Sequence, residues 1–136
     1  MQSLTRPTDA AAALAADLTA LCGFLVSADP PAVVDGSAPV AHVVPLGRAP
    51  VTPVSWEYDL SIDVWCGATG DLGPVEEAAN ALVGAFCRLD RADCPSGISW
   101  KVPTVTNGGY PNPDPNHWGV PRQTIACNVS ARGAED

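Results

Sequence analysis

From Trp56 to Cys66 the chain alternates without a break: Tyr58, Leu60, Ile62, Val64 and Cys66 fall on one side, and Glu57, Asp59, Ser61, Asp63 and Trp65 on the other. Successive side chains of a strand point to opposite faces, so this period admits a half-buried β-strand and excludes an amphipathic helix, whose apolar positions recur at a longer spacing. A strand patterned this way belongs to a sheet with one covered face and one open face. The covered face needs apolar partners from elsewhere in the chain, and the open face carries three carboxylates.

Two stretches have the spacing to supply that cover. Leu14, Leu18, Leu21 and Leu25 lie on one side of a helix predicted over Asp9 to Val26, entered through Pro7 and Thr8, with Asp9 near its positive end. Its end is set by Asp29-Pro30-Pro31, because the residue ahead of a proline is pushed out of helical geometry. Val75, Ala79, Leu82, Phe86 and Leu89 mark a second helix beginning at Pro74, with Glu76 and Glu77 in its first turn and Arg88 and Arg91 near its last.

The Val- and Pro-rich stretch from Val33 to Val54 reads as a hairpin, with Gly47-Arg48 between Ala41 to Leu46 and Val51 to Val54. Pro45 and Pro53 confine it to a sheet edge or a projecting arm. Ile98, Trp100 and Val102 alternate in a short strand, and Ile125, Cys127, Val129 and Ala131 in a final one. Between them, Pro103 to Pro121 reads as a long loop rich in Pro, Asn and Gly, of a length that usually signals function or flexibility. The expected fold is α+β: a mainly antiparallel sheet with two amphipathic helices packed on one face, plus a projecting hairpin and a long loop, in one domain over residues 1–136. A doubly wound parallel fold would need more helices between strands.

Composition narrows function. A formal charge of -8 with only seven Lys and Arg argues against nucleic-acid binding and against docking on an anionic membrane, and no apolar run is long enough to span a bilayer. Asp9 and Asp17 interrupt the apolar N-terminal stretch where an export signal would need continuity, so none is expected. The five cysteines, Cys22, Cys66, Cys87, Cys94 and Cys127, form no C-x-x-C pair; three of them fall at apolar phase in predicted elements and read as buried thiols, which suits a reducing compartment. With His42 and His117 they lack the short paired spacing of a structural zinc site.

Motifs for catalysis are missing: there is no G-x-S-x-G, Walker loop or H-E-x-x-H. The turn from Gly67 to Gly73 joins a strand to a helix, yet it has no lysine, and Asp71, Glu76 and Glu77 would repel a phosphate. Asn128-Val129-Ser130 matches a glycosylation triplet but lies within a predicted strand. The acidic stripe of Glu57, Asp59 and Asp63 reads first as a solvated sheet face; with His42 or His117 it is also the place where a small intracellular enzyme would hold a metal or do acid/base work. Of the tryptophans, Trp100 suits a core, and Trp118, among prolines, suits a contact.

The order and spacing of four segments resemble the tail terminator proteins of long-tailed bacteriophages: the helix Asp9 to Val26, the strand Trp56 to Trp65, the Ala-rich helix Pro74 to Leu89, and the closing Pro121 to Ser130. The resemblance implies a virion protein of the neck, a subunit of a six-membered ring that caps the tail tube and ends its polymerisation. Its implied partners are other copies of itself, the major tail tube protein and a head-side connector, with DNA passing through the lumen. Binding would replace turnover, with no cofactor and no metal. On this reading Val43, Leu46, Arg48, Val51 and Val54 of the hairpin and Tyr110, His117 and Trp118 of the loop make subunit or tube contacts, and Glu57, Asp59 and Asp63 face the lumen. A head-closure or head-tail adaptor subunit is the neighbouring alternative.

Overall fold

The alternating stretch forms the central strand of the sheet. In the computed structural model, which describes residues 6–133, the chain runs α1 (Ala10–Cys22), β1 (Leu25–Ser27), β2 (Val40–Thr52), β3 (Ser55–Trp65), α2 (Gly73–Cys87), β4 (Lys101–Pro111) and β5 (Arg122–Arg132). The ends of the single domain expected over 1–136 lie outside the described residues. The five strands make one sheet in the order β1-β2-β3-β5-β4, antiparallel except where β1 joins β2. The ladder between β3 and β5 is uninterrupted from Ser55 opposite Arg132 to Trp65 opposite Arg122.

Both helices cover the same face. Leu14 and Leu18 of α1 and Val75, Leu82 and Phe86 of α2 pack in one buried cluster with Ala41 and Val43 of β2, Tyr58, Leu60, Ile62 and Val64 of β3, and Ile125 and Val129 of β5. Each fully buried leucine here stabilises the fold by about 2 kcal/mol. The α+β architecture expected from the sequence is therefore the one observed.

Three boundaries differ from expectation. Helix α1 stops at Cys22, because Gly23 adopts a left-handed φ of 86° and its N–H bonds Thr19 O at 3.1 Å. Leu25 thus leaves the helical stripe and begins β1, which Thr19 ties down: its Oγ1 donates to Val26 O and accepts from Val26 N–H, both at 3.0 Å. At the other end Asp9 is the cap, accepting from Ala12 N–H at 3.2 Å.

Second, Gly47-Arg48 does not turn. Strand β2 runs straight through it and folds back on β3 at Pro53-Val54. The ladder tolerates the prolines by shifting register between Pro45 and Gly47 and again between Pro50 and Thr52, which leaves Leu46 and Val51 as bulge residues.

Third, the segment from Lys101 to Pro111 is strand, not loop. An edge position excuses Pro103 and Pro111 from donating to a second neighbour. The ladder to β5 compensates with register shifts between Lys101 and Thr104, Val105 and Asn107, and Asn107 and Tyr110. The true loop is residues 112–121.

Candidate functional site

Three surfaces gather the residues singled out from sequence. The first is the open face of the sheet. Glu57 and Asp59 are exposed there, opposite Ser130 and Asn128 of β5. Asp63 is half-buried, and its Oδ1 accepts from Thr124 Oγ1 at 2.6 Å, while Asn112 Nδ2 donates to that same hydroxyl at 3.0 Å. His42 of β2 pairs across the ladder with Asp63, and Tyr110 of β4 pairs with Thr124, so the four residues form one row across the sheet. Thr124 is buried and spends its proton on Asp63, which makes the row a structural tie.

The second surface is the arm formed by β2 beyond Pro45 and the facing part of β3. Leu46 is 64% exposed and Val51 57%, both lifted out of the ladder by the bulges, and Arg48 is exposed between them. Val54 is half-buried, and its carbonyl accepts from Gly133 N–H at 2.8 Å. Val43 corrects the contact set: it lies in the regular part of β2 opposite Ile62, fully buried beneath the helices, so it belongs to the core and not to a projecting surface.

The third surface is built by residues 112–121 folding over the Trp65 end of the open face. Asp114 is its centre, a buried carboxylate that no motif announced. Its Oδ2 accepts from Trp65 Nε1 at 3.0 Å and lies 2.8 Å from His117 Nδ1, and its Oδ1 accepts from Asn116 N–H at 2.9 Å. Arg122 stacks 5.7 Å from the Trp65 ring centre and donates through Nε to Asn112 O at 2.6 Å. Burial alone pushes the Asp114 carboxyl up; the bonds from His117, Asn116 and Trp65, with the Arg122 charge, outweigh it and hold the group below the usual aspartate value. This cover also explains why Trp65, placed by alternation among the exposed acidic residues, is buried.

Beside that network is a hollow of about 210 Å³, lined in part by Leu72, Pro113, His117, Trp118 and Val120. Trp118 stands at its rim 77% exposed, held through its carbonyl by Thr69 Oγ1 at 3.3 Å, and Leu72 is 48% exposed. Tyr110 lies outside this loop, on β4, and is exposed. The arm and the hollow are thus not brought together within the chain: Val51 sits against the Ser55 end of β3, and the hollow against its Trp65 end.

Of the thiols, Cys66 and Cys127 are buried, Cys22 and Cys94 are half-buried and Cys87 is exposed. All five cysteines are free. Burial, reinforced by Asp59, pushes the Cys127 thiol up to about 12, and burial raises those of Cys22, Cys66 and Cys94 as well. Among the described residues no cluster of three or more His, Cys, Asp or Glu has the geometry to hold a metal ion, and no helix is long and apolar enough to cross a membrane. No family model matches the chain, and a search of curated proteins finds no match either.

Proposed function

We propose that the chain is a ring-forming virion subunit of the tail-terminator kind, which caps the tail tube of a long-tailed phage, ends its polymerisation and offers a joining surface to the head-side connector. The observation that carries this reading is the pairing of an exposed arm, bearing Leu46 and Val51, with a separate apolar hollow at Trp118. Two different unfilled surfaces on one small chain suit heterologous contacts, and heterologous contacts that close make rings. The open acidic face supports the second half of the reading, since Glu57 and Asp59 would line a passage that repels the DNA backbone and keeps it sliding. Asp63, half-buried and bonded by Thr124, stands on the same face. The same features suit a head-closure or adaptor subunit; meeting a tube end separates the terminator from these.

Native mass spectrometry and electron microscopy of the purified chain, alone and with tail tubes, test the proposal. Closed rings seated at one tube end are expected. Reversing Glu57 and Asp59 to lysine should leave rings intact and slow DNA passage, read as reduced infectivity of otherwise complete particles. A chain that ignores tube ends and instead turns over a small molecule would end this reading.

A further inference from the structure

We infer that Asn107 is a self-modification site: the backbone nitrogen of Gly108 attacks its side-chain amide, ammonia leaves, and Asn107 becomes aspartate or isoaspartate while the chain is folded. The inference is independent of the assembly reading above. The reaction needs an asparagine side chain in contact with water, a following residue with no side chain in the way, and a backbone nitrogen able to turn toward the asparagine Cγ.

Four of the chain's asparagines fail one of these conditions. Ala81 follows Asn80 inside α2, where its N–H is committed along the helix. Pro113 follows Asn112 and has no N–H to lose. The N–H of His117, which follows Asn116, donates to Asp114 O at 3.0 Å. Asn128 precedes the β-branched, fully buried Val129 within the uninterrupted ladder between β3 and β5. Asn107 differs on every count. It is exposed on the edge strand β4 and is followed by two glycines. The ladder passes from Asn107 opposite Ala126 to Tyr110 opposite Thr124, so Gly108 and Gly109 form a bulge. Gly109 N–H also donates to Asn107 Oδ1 at 3.1 Å. That bond holds the side chain over the backbone it reacts with and draws electrons from Cγ, the atom to be attacked.

Gly108 N gives its proton to hydroxide and bonds to Cγ; the bond from Cγ to Nδ2 breaks, and the departing nitrogen takes a proton from water and leaves as ammonia. Water then opens the cyclic imide at either carbonyl. Opening at Cγ gives aspartate with the main chain unchanged. Opening at the main-chain carbonyl gives isoaspartate, whose backbone runs through Cγ and is one carbon longer. The balance is one water consumed, one ammonia released and one negative charge gained. The added length falls at the bulge, where no cross-strand pair fixes the spacing.

Incubating the folded full-length chain in mildly alkaline buffer, with peptide mapping by mass spectrometry at intervals, tests this. The peptide carrying Asn107 should gain one dalton before any peptide carrying another asparagine, at a rate that rises with hydroxide, and an isoaspartyl methyltransferase should label it. Gly108→Ala is the control: a Cβ there meets only Val83 Cγ2, at 4.0 Å, so circular dichroism should match the wild type. Its methyl group hinders the attacking nitrogen and should slow the gain by about tenfold or more. Asn107→Asp should carry the extra negative charge from the start and acquire no label. A parallel sample in urea shows the same peptide's reaction without the fold. An Asn107 that reacts in urea but not in the folded chain would overturn the inference, as would an earlier gain at another asparagine or an equal rate in Gly108→Ala.

Discussion

Asp17 lies on the buried side of α1, fully enclosed, where a carboxylate survives only if its oxygens are bonded. It accepts from Ser96 N–H at 2.9 Å, from Ser96 Oγ at 2.6 Å and from Trp100 Nε1 at 2.7 Å, clipping the segment after α2 to the first helix. Asp17→Asn keeps the shape but replaces an acceptor by a donor facing donors, and should cost about 3 kcal/mol in urea unfolding. A loss under about 0.5 kcal/mol, the scale of an ordinary surface change, would show that the clip is unimportant. In sequence, Asp17 reads only as an interruption of an apolar run. Its partners are 79 and 83 residues away, and no local pattern records them. Asp114 went unseen for a similar reason: one of its three hydrogen-bond partners, Trp65, belongs to a strand 49 residues earlier.

Elements with a clean period were legible, and those whose period is broken by proline or glycine were not. Strand β3 and helix α2 stand close to where alternation and helical spacing put them, since burial on one face dictates both pattern and structure. Strand β4 was hidden because Pro103, Gly108, Gly109 and Pro111 are poor strand residues that a long regular partner, β5, nevertheless holds at its edge. The loop over residues 112–121 is an element whose hold depends on pH. The Asp114 carboxyl is bound more tightly as the anion in the folded chain, so the unfolded chain takes up its proton first as pH falls. Its contribution is complete above the ordinary aspartate pKa of about 3.9 and disappears as pH drops through the lowered folded value. Asp114→Asn should therefore be less stable than the wild type at pH 7, with the gap narrowing below about pH 4 in a urea series. A gap independent of pH would show that the carboxylate's charge has no part in holding the loop.

At the scale of the whole molecule, one cluster joins both helices to four of the five strands through β4's Val105, and β1 adds Val26, so no second core exists among the described residues to melt separately. Heating should give one cooperative transition, coincident by far-ultraviolet dichroism and by tryptophan fluorescence, which reports the buried Trp56, Trp65 and Trp100. Two separated transitions would contradict a single core. Partial opening nonetheless has a direction. Val102 holds a φ of 49°, a left-handed conformation that a β-branched residue adopts only under strain, and the ladder behind it slips three times before Pro111. Release should begin there, peeling the outermost strand from its Lys101 end while β3 and β5 remain zipped together. What such a fluctuation uncovers is the flank of β5, a long, regular stretch of backbone that the native arrangement never presents to a stranger.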